Sequence, residues 1–228
     1  MKPPLQVALV GGSAAGKGTL AAALARRLRV PVAHVELDAF YRDLSRLAPA
    51  RRAAFDFDHP RAIDWPRVRT VFDRLAAGLP AAVPVYDFAR HARRPEVRRV
   101  SPAPVVLWDG LWLLDWSWMR RRFAWSIYLE CAPALCLARR LARDVRERGR
   151  TPESVRRQYR AQVWPQQRRW VEPQRWWADE VVRSPWSAPA LDHLAAQLAT
   201  RLAEARRGAR LTPRKAAGNR PGGCRSPW

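Results

Sequence analysis

Leu9-Val10-Gly11-Gly12-Ser13-Ala14-Ala15-Gly16-Lys17-Gly18-Thr19 joins a short apolar strand to a glycine loop and then to a helix. Gly11, four intervening residues, Gly16 and Lys17 fit a phosphate-binding loop, in which successive backbone N–H groups curl around phosphate oxygens and the lysine reaches the outer ones. The following helix adds its positive N-terminal end. Both flanks agree: Gln6 to Val10 is a buried-strand pattern, and Leu20, Leu24 and Leu28 recur at helical spacing. The glycines fall as GGxxxG rather than GxGxxG, which argues against a dinucleotide fingerprint. Gly11, Gly12, Ser13, Ala14, Ala15, Gly16, Lys17, Gly18 and Thr19 therefore form the candidate nucleotide-phosphate site.

One position departs from the pattern. The residue after the lysine should be Ser or Thr, whose hydroxyl ligates Mg²⁺, and here it is Gly18. Thr19 follows, but one helical step turns it about 100° away. The run Gly-Lys-Gly-Thr resembles the loop of adenylate kinases, where the metal is held largely through water.

A chain of 228 residues with 48% hydrophobic content can bury one substantial core. No apolar run approaches the roughly 18 residues of a spanning helix, and the start of the chain lacks a signal-peptide pattern, so a cytoplasmic, non-membrane protein is expected. Cys131, Cys136 and Cys224 lack metal-ligand or CxxC spacing and read as free thiols. The formal charge of +22 attracts polyanions. Almost all of it is arginine spread along the chain, which reads as solvated faces rather than a dedicated nucleic-acid patch. The tryptophans read mainly as core.

Val7 to Val10, Val32 to Leu37, Val105 to Trp108, Trp125 to Leu129 and Val181-Val182 look like core strands separated mostly by helical patterns. That alternation predicts an α/β fold: a doubly wound, mainly parallel sheet of about five strands with helices on both faces. The stretch between the second and third strands exceeds one crossover and predicts a substrate-side insertion over about 41–100. It holds a helix led by Asp64 and Pro66, carrying Val68, Phe72 and Leu75 and closed by Gly78 and Pro80, in an otherwise polar, proline-rich segment. After Leu129 comes a helix with Leu137, Leu141 and Val145 on one stripe, ending in an arginine-rich run where Gly149 marks a stop or hinge. A last helix uses Leu191, Leu194, Leu198 and Leu202. From 206 to 228 the chain is basic, without acidic residues or periodicity, and reads as a disordered tail after a domain spanning 1–205.

Asp38 closes the second strand, where a doubly wound sheet places its ligand crevice, so its carboxylate can orient and deprotonate a hydroxyl; a helix N-cap is the competing role. Asp109 ends the apolar run Val105 to Trp108, as Walker-B segments do, and suits a hold on Mg²⁺. Arg140, Arg143, Arg148 and Arg150 cluster where phosphoryl transfer needs cations.

Gly11 to Thr19, Asp38-Ala39-Phe40-Tyr41-Arg42-Asp43, Phe57-Asp58-His59-Pro60, Pro84-Val85-Tyr86-Asp87-Phe88, His91 and Arg143-Asp144-Val145-Arg146-Glu147-Arg148-Gly149-Arg150 come in an order that resembles the uridine–cytidine kinases of the phosphoribulokinase and uridine kinase group. Gln158-Tyr159, Val163, Pro165 and Ala178-Asp179 extend the match. The resemblance implies ATP or GTP as donor, Mg²⁺, a nucleoside acceptor, a homo-oligomer and an arginine-rich lid over about 143–160. By the same resemblance Asp38 is the base for the ribose 5′-hydroxyl and, with Asp109, a metal residue. Lys17 and Arg148 are catalytic cations, and Arg143 joins the donor site. Asp58 binds the ribose, Tyr41 lines its pocket, and Tyr86, Phe57, Phe88 and His91 hold the pyrimidine. Arg140, Arg150 and Gln158 complete the acceptor site. Asp109 stands where the group usually has Glu, so with Gly18 both departures fall on the metal side. Two other readings stay open: a kinase of the same group acting on a sugar phosphate or vitamin-like alcohol, and a basic RNA-associated protein that keeps the nucleotide-binding fold.

Overall fold

Strands covered on both faces need no polar alternation, and the chain uses such strands for its centre. The computed structural model describes residues 2–208. In chain order the elements are β1 Leu5–Gly11, α1 Lys17–Arg27, β2 Val32–Glu36, α2 Pro49–Ala53, α3 Trp65–Ala76, β3 Ala81–Asp87, β4 Ala92–Val100, β5 Val105–Gly110, α4 Ser117–Arg120, β6 Trp125–Cys131, α5 Pro133–Arg148, α6 Pro152–Gln158, α7 Trp164–Gln166, β7 Glu180–Ser184 and α8 Ala188–Arg207. Five strands form one parallel sheet in the order β2-β5-β1-β6-β7. β1 and β5 are buried along their whole length, as a sheet sandwiched by helices requires.

The two faces carry separate apolar layers. Leu20, Leu24, Leu191, Leu194 and Leu198, from α1 and α8, pack on Val7, Leu9, Leu107 and Ile127. On the other face Val68, Phe72 and Leu75 of α3 meet Ala8, Val10, Val106 and Trp108. The leucines expected to form the last helix's buried stripe are those that are buried. Asp64 caps α3 through its side chain onto the Arg67 N–H, with Pro66 inside the first turn. Trp65, Trp108, Trp112 and Trp125 are buried, as the reading of tryptophan as core expects, whereas Trp176 is exposed and the other described tryptophans are half-buried. Among the described residues no helix is long and apolar enough to cross a membrane.

Residues 81–100, where the sequence reading named no strand, form an antiparallel hairpin, β3 with β4. Two expectations are corrected. In α5 the stripe Leu137, Leu141 and Val145 does not supply the buried face. Cys136, Arg140 and Asp144 do, because this helix touches the core through Cys136 and borders a polar cavity along Arg140, Arg143 and Arg148. α8 continues to Arg207 with Gly208 left-handed at its end, so the first two residues assigned to the tail are helical; the remainder lies outside the described residues. Cys131 and Cys136 are free thiols, and Cys224 lies outside the described residues.

Candidate active site

A parallel sheet brings all its C-terminal strand ends to one edge, and the loops leaving that edge build the site. β1 ends at Gly11, and the loop to α1 needs left-handed backbone at Ala14 (φ 60°) and Gly16 (φ 102°). Holding a non-glycine residue such as Ala14 there stores strain, which turns successive N–H groups toward one centre. Gly12 serves close approach instead, since a Cβ there would stand 2.5 Å from Gln167 Oε1. Lys17 Nζ donates to the Gly11 and Gly12 carbonyls at 3.0 Å, which holds it against the loop. Ser13 Oγ accepts from Arg140. Thr19 is exposed.

Asp38 sits in a 3-10 turn, Leu37–Phe40, directly after β2, and is not an N-cap: that position is taken by Glu36, which makes no capping bond. Enclosure raises the Asp38 carboxyl above its ordinary range; Lys17 opposes this and Asp109 adds to it. Asp38, Lys17, Gly18, Asp109, Arg143 and Arg148 share a cavity of about 640 Å³ above the loop. The carboxylates of Asp38 and Asp109 are hard oxygen donors, the kind a nucleotide-bound Mg²⁺ takes. At Gly18 an added Cβ would meet only Asp109 Oδ2, at 3.7 Å, so the place of the missing hydroxyl is open space beside that carboxylate.

A second cavity adjoins it and shares Ala14, Lys17, Asp38, Phe88, Arg143 and Arg148 with it. It is lined by Tyr41, Phe57, Asp58, Tyr86, Phe88 and His91 on one side and Arg140, Arg143, Arg148, Arg150 and Gln158 on the other. All the acceptor residues named from sequence thus meet in one place. The aromatic wall is packed edge to face, with Tyr41 5.3 Å from Phe57 and Tyr86 5.3 Å from Phe88. His91 stacks on Phe57 at 4.6 Å. Burial and the charge of Arg150 hold the His91 imidazole below its usual pKa, hence neutral. Arg150 Nη2 lies 3.3 Å from His91 Nε2. Arginine has no acceptor, so this nitrogen accepts and the ring proton sits on Nδ1. Tyr86 Oη is buried without a partner among the described residues.

Arg140 ties the loop to the far side of the second cavity. Its Nη1 reaches Ser13 Oγ at 2.8 Å and lies 4.0 Å from Asp58, and its Nη2 donates to Gln158 at 3.1 Å. Burial pushes the Asp58 carboxyl up to about 6 despite that arginine. Below them Asp144, fully buried, stands 2.9 Å from Arg143, 3.4 Å from Arg140 and 3.5 Å from Arg148. These charges hold its carboxyl below the usual range against the effect of burial. Arg148 lies 4.6 Å over the Phe88 ring, Arg150 Nη1 donates to Gln158 at 2.6 Å, and the acceptor cavity is narrowed to about 70 Å³.

Sequence reasoning missed Arg139, whose Nη1 donates to the Ala15 carbonyl at 3.1 Å and to Ser184 Oγ at 2.8 Å. It also passed over Trp186, which lies beside Gly16. The Arg139-Arg140 pair was the available signal for the first, and nothing local marked the second.

The Phosphoribulokinase / Uridine kinase family model matches residues 6–186. The chain belongs to that family. A protein named uridine kinase from Chloroflexus aurantiacus is 37% identical over 197 residues, covering 86% of this chain and 94% of its own. Another of that name, from Deinococcus deserti, is 35% identical over 199 residues, covering 86% and 96%. A solved phosphoribulokinase from Rhodobacter spheroides shares the fold, with a TM-score of 0.61 at 20% identity over 80% of this chain and 70% of that one. Membership makes this chain a P-loop kinase that takes its phosphoryl group from a nucleotide.

Proposed function

We propose that this protein phosphorylates the 5′-hydroxyl of uridine or cytidine with ATP or GTP, giving the nucleoside monophosphate. The observation that carries the reading is the cavity that runs from Lys17 and Asp38 into a wall of Tyr41, Phe57, Tyr86, Phe88 and His91 with Asp58 at its floor. A flat aromatic base suits that wall, a ribose diol suits a buried carboxylate, and the unpartnered Tyr86 hydroxyl offers a polar contact.

Asp38 is the base. Its raised pKa makes it a better proton acceptor, and the cations Lys17, Arg148 and Arg143 oppose that rise. The 5′-oxygen forms its bond to the γ-phosphorus as the bond to the bridging oxygen breaks; the hydroxyl proton passes to Asp38 and the nucleoside diphosphate leaves. Lys17, Arg143 and Arg148 supply cations for the charge on the transferring group. The loop N–H groups from Gly11 to Thr19 hold the donor phosphates. Asp109 and Asp38 would hold Mg²⁺, which when bound neutralises charge shared between the β- and γ-phosphates. Neutral His91, with Arg150 and Gln158, meets the polar edge of the pyrimidine, and Arg140 spans the ribose and phosphate sides.

We assign the segment 41–100 to the acceptor side and 143–160 to a lid, in a cytoplasmic homo-oligomer, on the resemblance described above. The basic residues of 206–228 add at most non-specific polyanion binding. The deciding experiment is a phosphorylation screen of the purified protein over nucleosides, pantothenate, nicotinamide riboside and ribulose 5-phosphate. Uridine or cytidine should lead. Preferential turnover of ribulose 5-phosphate or a vitamin-like alcohol would overturn the acceptor assignment.

A further inference from the structure

His34, half-buried, and Glu36, exposed, are polar residues two apart on β2, alternating with the buried Ala33 and Val35, and the site above gives them no role. Glu36 stands in register with Asp109 on the neighbouring parallel strand. The candidate ligand atoms of His34, Glu36 and Asp109 lie within 4.8 Å of one another. His34 Nε2 is 2.7 Å from Asp109 Oδ2, whereas Glu36 makes no side-chain hydrogen bond or salt bridge among the described residues. Arg98, the nearby guanidinium, donates to the His34 carbonyl. Glu36, Asp38 and Asp109 line the same cavity as Lys17 and Gly18.

Two carboxylates side by side at a strand end repel unless a cation lies between them. The second observation is at Gly18. Its missing side chain leaves open space against Asp109 Oδ2, where the loop pattern calls for an oxygen ligand. The chain lacks a donor at that position and has an extra one across the same cavity.

We propose that Glu36 is a ligand of the divalent cation that accompanies the donor nucleotide, taking over from the hydroxyl that Gly18 lacks, with His34 holding Asp109 in place beside it. This rests on the kinase reading above. Three carboxylates, Glu36, Asp38 and Asp109, give an all-oxygen set that fits Mg²⁺ or Mn²⁺. His34 is a positioning residue: its bond to Oδ2 fixes the orientation of the Asp109 carboxylate.

The test is Mn²⁺ binding to the full-length protein with ADP, read from the loss of the free-ion electron paramagnetic resonance signal. Glu36→Gln should raise the Mn²⁺ Kd at least about tenfold, the smallest loss typical when a group supporting a metal site is removed. In the Gly18→Ser background the same substitution should cost less than about threefold, because the restored hydroxyl and Glu36 act at one position and their effects do not add. Gly18→Ser alone should change Kd by less than about threefold, which keeps the idea testable even if Glu36→Gln folds badly. A wild-type Kd in Glu36→Gln, an equal loss in both backgrounds, or a tenfold tightening by Gly18→Ser alone overturns the proposal. A protein that phosphorylates uridine while its Mn²⁺ binding ignores Glu36 sinks this inference alone. One that binds Mn²⁺ with ADP through Glu36 yet phosphorylates no nucleoside sinks the acceptor reading alone.

Discussion

Asp144→Asn removes a charge and almost no volume, so it isolates what one buried carboxylate does for three arginines. Of these, Arg140 has a side chain only 6% exposed, and its pairing is the desolvated one; Arg143 at 30% is screened by solvent and adds little. Removing one partner of a buried pair costs roughly 3–5 kcal/mol, because the other charge stays behind uncompensated. Asparagine can still accept one hydrogen bond, which places the expected loss near the lower end, about 3 kcal/mol. That is a large share of a stability of roughly 5–15 kcal/mol. With a urea slope of about 1–3 kcal/mol per molar, the midpoint should fall by at least about 1 M. Equilibrium unfolding followed by tryptophan fluorescence measures it. The sign also makes a pH prediction. Asp144 has its folded pKa depressed, so its contribution is present above the unfolded value of about 3.9 and disappears as pH falls through the folded value. The gap between wild type and variant should therefore close in acid. A midpoint that moves less than about 0.3 M near neutrality would refute the reasoning, because the arginines would then be shown to be solvated where they stand.

Asp38→Asn should lower kcat by at least about a hundredfold with donor binding intact, as loss of a positioned base does, and steady-state kinetics on the folded variant decide it. Asp58, pushed up to about 6, should give kcat/KM for uridine an acid limb near that pH, with activity falling as the carboxylate protonates; Asp58→Asn should abolish the limb, and a limb that survives assigns it elsewhere. His91→Ala and Tyr86→Ala should each raise KM for uridine far more than KM for ATP, and equal effects on both substrates would mark these residues as packing only.

The central sheet was legible because β1, β5 and most of β6 are buried and their sequences are predominantly apolar. β4 was not. Ala92–Val100 is mostly exposed and carries several arginines and a proline, so it is a strand through pairing with β3 and not through burial. The apolar stripe of α5 misled for a related reason: a helix that lines a charged cavity buries its polar face and leaves Val145 exposed. The acceptor residues were legible only as an ordered set, since each alone reads as core or surface. His34 and Glu36 carried a signal that went unused, polar side chains alternating with the buried Ala33 and Val35.

Kinases face a competitor for the γ-phosphoryl group that is always present, namely water. The narrowed cavity bears on that competition. Arg148 rests on Phe88 and Arg150 bridges His91 and Gln158, so these two guanidiniums occupy the approach to the aromatic wall. A cavity of about 70 Å³ admits no more than a few solvent molecules. On the function proposed above, a pyrimidine entering this cavity would displace those contacts, while Arg148 also lines the neighbouring cavity of Lys17 and Asp38. Solvent cannot offer an aromatic face to perform the same exchange. On that reading the aromatic–arginine stack would guard against idle hydrolysis of the donor, holding the acceptor side until a nucleoside takes its place.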